Sequence, residues 1–315
     1  MRVLVTGGAG YVGSVSVEAL VAAGHDVTVV DDLSTGHAGA VVDGADLVDG
    51  PYTDAASMAR LLEARRIDAV LHCAARSLVG ESIENPAKYF VENVAGGISL
   101  LEAMRAAGTD RIVFSSSAAV YGTPDASPIT EDAPLRPINP YGETKRSFEG
   151  ALRWYGTAHG LRGVTLRYFN VAGATEHLGE VHDPETHLIP NVLMALEGGP
   201  GLTVFGDDYP TPDGTCIRDY IHVVDLADAH LLALEATAVG DERTDPPTTG
   251  GMLVCNLGSG DGFSVREVLD AAERVVGRPV PHAIGARRAG DPPVLVASSA
   301  QAREKLGWTP KFDRI

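Results

Sequence analysis

Two side chains in the stretch Asn139-Pro140-Tyr141-Gly142-Glu143-Thr144-Lys145 have the chemistry and spacing to move a proton. Asn139 suits a helix N-cap and Pro140 the first helical position, so a helix is expected to begin here. Tyr141 and Lys145, four residues apart, then share one helix face. A free tyrosine has a pKa of about 10, which leaves roughly one in a thousand ionised at pH 7. A neighbouring ammonium and the positive end of a helix both favour the phenolate. A drop of about three units needs roughly 4 kcal/mol of stabilisation, and it would make Tyr141 a general base at neutral pH. The spacing alone also fits a surface turn before an ordinary amphipathic helix, so the surrounding sequence has to decide.

Thr6-Gly7-Gly8-Ala9-Gly10-Tyr11-Val12-Gly13 lies between a strand-like run and a helical pattern. Gly8, Gly10 and Gly13 fit G-x-G-x-x-G; Gly7, Gly10 and Gly13 fit the variant with three-residue spacing. Glycines there let the backbone approach a pyrophosphate seated on the helix N-terminus. Asp31 ends the next strand-like run. It is placed to bond the adenosine ribose hydroxyls and to repel a 2′-phosphate, so NAD is expected rather than NADP. Ser115-Ser116-Ser117 sits at the expected carboxyl end of another strand, where open sheets bind ligands. One of these hydroxyls could hold a substrate oxygen near Tyr141; the alternative is a serine-rich turn. No nucleophile-elbow sequence surrounds them, which argues against a hydrolytic serine.

His177, His182 and His187 lie among Glu176, Glu180, Asp183 and Glu185. A metal site is conceivable there, but the spacing fits neither a helical HExxH nor a finger pattern, and a polar ligand loop is the expectation. Arg218, Arg287 and Arg288 could recognise phosphate bidentately, or be scattered surface charges. Cys73, Cys216 and Cys255 are odd in number and far apart, with no metal spacing. Free thiols in a reducing cytosol follow as the simplest expectation.

These groups need a scaffold. Short β-branched runs alternate with helical patterns through the first half. Strands are expected at Val3–Val5, Val27–Val30, Ala45–Val48, Ala69–Cys73, Arg111–Phe114 and Val164–Leu166. Helices are expected near Val12–Ala23, Ala55–Ala64 and Pro86–Ala107, the last strained by Gly96-Gly97. This alternation predicts an α/β fold, a doubly wound parallel sheet with helices on both faces. Beyond about residue 170 the pattern loosens into a smaller, irregular α/β lobe. It has helices at Val224–Ala238 and Val265–Val276, a short strand at Leu253–Cys255 and a polar surface loop at Thr244–Gly251. The 315 residues suffice for two lobes. A net charge of -17 argues against nucleic-acid or anionic-membrane partners. No signal peptide and no membrane-spanning apolar run is expected.

Taken together, the chain resembles the extended short-chain dehydrogenase/reductases, and more narrowly the UDP-glucose 4-epimerases. The matching segments are Thr6–Gly13, Asp31, Val79–Ser82, Ser115–Gly122, Pro140–Lys145, Arg167–Asn170, Phe205–Thr211, Arg218–His222 and Arg287–Asp291. The resemblance implies a Rossmann-type NAD-binding domain over residues 1–175 and a smaller UDP-sugar-binding lobe over 176–315, with segments that can interleave. It implies reversible epimerisation at C4 of UDP-galactose or UDP-glucose through a 4-keto intermediate, with transient hydride transfer to bound NAD. Tyr141 would be the base, Lys145 would lower its pKa and bind the nicotinamide ribose, and Ser117 would bond the substrate oxygen. Gly7, Gly10, Tyr11, Val12, Gly13, Asp31, Asn93 and Tyr168 would line the cofactor site. Asn170, His187, Leu188, Phe205, Arg218, Arg288 and Asp291 would hold the UDP part. Leu295, four residues after the Arg-x-Gly-Asp segment, would help set the volume of the sugar pocket. A homodimer packed through the Pro86 and Tyr141 helices, and a cytoplasmic location, complete what the resemblance implies.

The chain departs from the family pattern at Pro51, where an acid often contacts adenine, and at Ser77, where a lysine is frequent. A 4,6-dehydratase would carry an Asp-Glu pair where Ser117-Ala118 stands. A redox sensor that binds NAD without catalysis would commonly lack the tyrosine and lysine.

Overall fold

The computed structural model describes residues 1–244, 251–288 and 291–315. The first half follows the expected alternation. It runs β1 (Arg2–Thr6), α1 (Tyr11–Ala22), β2 (Asp26–Asp31), β3 (Ala45–Asp49), α2 (Ala55–Arg65), β4 (Ala69–His72), α3 (Val79–Glu84) and α4 (Pro86–Tyr89). A π-helical turn over Phe90–Ala95 leads into α5 (Gly96–Ala107), then β5 (Arg111–Ser117), α6 (Pro140–His159) and β6 (Arg162–Tyr168). The second half holds β7 (Asn170–Ala172), α7 (Leu188–Leu196), β8 (Leu202–Phe205), β9 (Ile217–Arg218), β10 (Tyr220–His222) and α8 (Val223–Ala236). It continues with β11 (Met252–Leu257), β12 (Phe263–Ser264), α9 (Val265–Val276), β13 (His282–Gly285), β14 (Val294–Leu295) and α10 (Ala300–Leu306).

The main sheet has seven strands in the order β11-β6-β5-β4-β1-β2-β3, every pair parallel. The order reverses between β1 and β4, which makes that gap the ligand-binding switch point of a Rossmann-type sheet. The strands are apolar on both faces, and neighbouring residues alternate between two cores. Val3 and Val5 point into a core with Val17 and Leu20 of α1, Leu226 and Leu234 of α8, and Trp308. Leu4, Val70 and Ile112 point the other way, onto Met58 of α2, Leu100 and Met104 of α5, and Phe148 of α6. Side chains this size each contribute about 1.5–3 kcal/mol when fully buried.

Two expectations need correction. The Leu253–Cys255 strand is no part of a minor sheet: β11 pairs with β6 along its length and completes the main sheet. Trp308 and α8 also join the first core, so segments beyond residue 175 interleave with those before it. The Gly96-Gly97 pair causes no strain. Both glycines sit in regular helix; a Cβ on Gly97 would come within 2.5 Å of the Phe148 ring, so Gly97 permits close packing of α5 on α6, while one on Gly96 would come within 2.5 Å of Thr53. The irregular turn is the π segment just before them. Residues 245–250 of the expected surface loop lie outside the described residues, as do Ala289 and Gly290.

The smaller lobe has a core of its own, in which α7 and α9 pack through Val192, Leu196 and Leu269 against Val204. Helix α9 is closed by a Ser264–Glu267 capping box and by Gly277 at φ 78°. None of the three cysteines is in a disulfide. Among the described residues no helix is long and apolar enough to cross a membrane.

Candidate active site

The carboxyl ends of the central strands collect the residues singled out above: Thr6 on β1, Asp31 on β2, Ser117 on β5 and Tyr168 on β6. The glycine loop joins β1 to α1. Gly7 adopts φ 72°, a left-handed conformation that a side chain would strain. A Cβ on Gly13 would collide with the Gly7 carbonyl, so that glycine closes the helix against the loop. Gly10 differs. A Cβ there would meet no protein atom nearer than the Gly7 oxygen at 3.5 Å, so internal packing does not demand a glycine. The room in front of Gly10, at the N-terminus of α1, fits a pyrophosphate. Tyr11 and Val12 form the first turn of α1. The Tyr11 hydroxyl is already committed, donating to the Gly173 carbonyl at 2.6 Å.

Asp31 is buried and faces the same loop. One carboxylate oxygen accepts from Ala9 N and the other from Leu33 N, each at 2.9 Å. Each oxygen keeps a lone pair for a ribose hydroxyl. Both the glycine loop and Asp31 therefore fit a dinucleotide.

Tyr141 stands at the start of α6, as expected. The Asn139 side chain accepts from Gly142 N at 2.8 Å, and Pro140 occupies the first turn. Ser117, at the end of β5, accepts from Ala119 N at 3.2 Å through its hydroxyl. Lys145 is buried, and its ammonium donates to the Ser115 carbonyl at 2.7 Å. The expectation about the acidity of Tyr141 is reversed. Burial raises the Tyr141 phenol above its ordinary value, and the Ser117 hydroxyl only partly opposes this. Burial also pushes Lys145 down to about 8. The reason is desolvation, which penalises both charged forms. Tyr168 is likewise pushed up by burial, then by the neighbouring Tyr141.

Behind these groups lies a layer that sequence reasoning missed. Glu149 and Arg167 form a buried ion pair at 2.6 Å, and Ser116 donates to the same carboxylate at 2.6 Å. Arg167 also donates to the Tyr121 hydroxyl, which donates to Asn256 on β11. His230 on α8 joins Ser16 of α1 (3.0 Å) to Ser115 of β5 (3.1 Å) and is held neutral by burial, its pKa lowered to about 3. Asn93, which the resemblance singled out for the cofactor site, projects from the π turn, holds the backbone of Arg76 through both N and O and donates to Thr144 at 3.1 Å. It braces the loop after β4 against α6. No periodicity betrays such contacts; only the isolated polar residues inside apolar runs could have hinted at them.

The UDP-side candidates fall into two groups. On β9 and β14, Arg218 donates to Asp291, and Leu295 lies opposite Arg218 in register. Beside them Arg288 stacks on the Phe205 ring, 4.0 Å from its centroid. Asn170 on β7 donates to the Asp219 carbonyl at 3.0 Å. The Tyr209 hydroxyl is buried without a hydrogen-bond partner among the described residues, close to Arg218, Arg287 and Asp291. That orphaned donor is a place for a ligand oxygen. His187 and Leu188 open α7, but the His187 imidazole turns to Glu180 (2.6 Å) and Glu185 (3.2 Å). Glu180 holds this imidazole above its ordinary pKa.

With this geometry in place, comparison with known proteins identifies the class. Residues 3–245 match the NAD dependent epimerase/dehydratase family, and the chain belongs to that family. Within it the relatives are more particular. The curated UDP-glucose 4-epimerase of Corynebacterium glutamicum is 51% identical over 99% of this chain and 91% of its own length. A crystal structure of UDP-glucose 4-epimerase from Brucella ovis in complex with NAD superposes with a TM-score of 0.92 at 50% identity, covering 99% of this chain and 94% of that one. The UDP-glucose 4-epimerase of Bifidobacterium longum, solved with NAD+ and UDP, gives 0.90 at 38% identity over 99% and 94%.

Proposed function

We propose that this chain is an NAD-dependent isomerase that interconverts UDP-glucose and UDP-galactose by reversible epimerisation at C4. The observation that carries this reading is the convergence of Tyr141 and Ser117 over a buried Lys145 at the end of β5, two strands from the glycine loop.

NAD, when bound, supplies the acceptor and donor for the C4 hydride. Tyr141 takes the C4 hydroxyl proton as the hydride leaves and gives it back when the hydride returns. Ser117 holds the same oxygen, as acceptor from the hydroxyl and as donor to the ketone. Lys145 puts positive charge beneath the phenol and has donors left for the nicotinamide ribose. Asp31 takes the adenosine ribose, and the amides around Gly10 take the pyrophosphate. Arg218, Arg288, Phe205 and the Tyr209 hydroxyl hold the UDP part, which anchors the nucleotide while the keto-sugar turns over in its pocket. Leu295 lines that pocket. The UDP-sugar lobe comprises the segments around β7–β10 and β12–β14, and the NAD domain takes the rest.

A homodimer is part of this proposal. Phe90, Val91 and Trp154 are 41, 63 and 73% exposed on the π turn and α6, an apolar face suited to a second copy. The free thiols support a cytoplasmic location. The test incubates the purified protein with UDP-galactose or UDP-glucose and separates the products. Both should reach the same mixture; a folded protein that leaves each unchanged refutes the proposal. A product that has lost the C6 hydroxyl would mean dehydration instead. Sedimentation should give the dimer mass.

A further inference from the structure

The loop that leads into α7 brings four side chains to one point. Glu180, His182, Glu185 and His187 each offer a ligand atom, and these atoms lie within 4.8 Å of one another. Both histidine Nδ1 atoms face the same two carboxylates. His182 is 3.0 Å from Glu180 and 3.7 Å from Glu185; His187 is 2.6 Å and 3.2 Å from them. Ligand atoms around a tetrahedral ion with bonds of about 2.1 Å sit roughly 3.4 Å apart, and the four separations bracket that value. The two carboxylate side chains are 7 and 8% exposed, and imidazoles are their only ion-pair partners among the described residues. Carboxylates this buried normally face a lysine, an arginine or a metal. Glu185 is also held in place: one of its oxygens accepts from Thr186 N and His187 N, both at 2.7 Å. Outer contacts of that kind orient metal ligands.

We propose that Glu180, His182, Glu185 and His187 form a structural site for a divalent transition metal of the Zn2+, Co2+ or Ni2+ class. Two imidazoles disfavour Mg2+ and Ca2+, which take oxygen ligands. Two carboxylates balance the charge of the ion. The chain spacing matches no helical motif because the ligands lie on a folded loop. The site ties that loop to the glycine loop, where the Tyr11 ring meets His182 edge-on at 6.4 Å. It fixes the entry to α7 and takes no part at C4.

The test uses untagged protein stripped with chelator, exposed to Co2+ or Zn2+ and passed through gel filtration. One ion per chain should remain, and Co2+ should give the visible absorption of a four-coordinate site. His182→Ala and Glu180→Gln should each weaken binding by at least about 10- to 100-fold. His177→Ala, in the same loop but outside the cluster, should bind as wild type. Circular dichroism monitors folding, and Glu180→Gln alone decides if His182→Ala does not fold. No retained ion in the wild type, or undiminished binding in a folded cluster variant, overturns the proposal.

Discussion

Lys145 turns its ammonium to the Ser115 carbonyl at 2.7 Å, and lies 5.9 Å from the centroid of the Tyr141 ring. The lysine therefore faces the phenol without bonding to it. Burial dominates and raises the phenol above its ordinary value. Tyr141→Phe should cut turnover at least about 100-fold, the range for losing general acid–base catalysis, with circular dichroism unchanged. Near-normal turnover in the folded variant would remove Tyr141 from the role.

Asp31 sets the cofactor preference. Denaturing the purified protein should release NAD and not NADP into the supernatant. Asp31→Ser should bring the affinities for the two closer together, because the carboxylate that repels a 2′-phosphate is gone. NADP in the wild-type supernatant would overturn this assignment.

The Arg167–Glu149 pair supports the strand that carries Ser117. Its side chains are 6 and 7% exposed. Arg167→Met strands a carboxylate in the core and should cost about 3–5 kcal/mol, read from denaturant midpoints at equal slope. Adding Glu149→Leu should recover much of that loss. A single variant as stable as wild type would show that the pair contributes nothing.

Stability should depend on His230 in acid. Its pKa is lowered from 6.5 to about 3 by burial. Below about pH 6.5 the unfolded chain gains a proton here that the folded chain refuses until about pH 3. The unfolded state then binds more protons, so stability falls as pH falls through that window. The slope approaches about 1.4 kcal/mol per pH unit for one group. A His230→Gln variant should lose that share, so its deficit relative to wild type narrows on acidification. Parallel pH profiles would show that the buried imidazole is not held neutral.

Leu295 packs beside Val120, Tyr121 and Phe169, the layer that follows Ser117. Forcing a bulkier group into a filled site costs about 1–3 kcal/mol, and about 1.4 kcal/mol is tenfold. Leu295→Tyr should sharpen the preference for UDP-galactose over UDP-N-acetylgalactosamine by roughly ten- to a hundredfold. Equal discrimination by both proteins would mean that Leu295 packs the lobe and never meets the sugar.

What could be read from the sequence was local. The glycine loop, Asp31 and the Asn139–Lys145 stretch are set by neighbours a few residues away, and their helices and strands begin within a residue or so of expectation. The membership of β11 was not legible, because a short apolar run says nothing about which edge it joins. The sequence singled out the histidines and glutamates of Glu180–His187 but not their convergence, because the four side chains meet through turns and not through helical spacing. The acidity of Tyr141 was misjudged for a related reason. Sequence spacing reports the lysine, whereas the dominant influence is desolvation by residues scattered along the chain.

The pairing of β11 with β6 also bears on synthesis. A nascent chain that has emerged as far as Tyr168 can assemble six strands, but β6 then forms an open edge lined by Val164 and Leu166. That edge stays unpaired until the ribosome has passed Leu257, and Trp308 seals the core beneath it later still. Truncated products and slow translation between these points would expose a sticky strand to its neighbours, so aggregation of fragments ending before residue 252 follows from the topology.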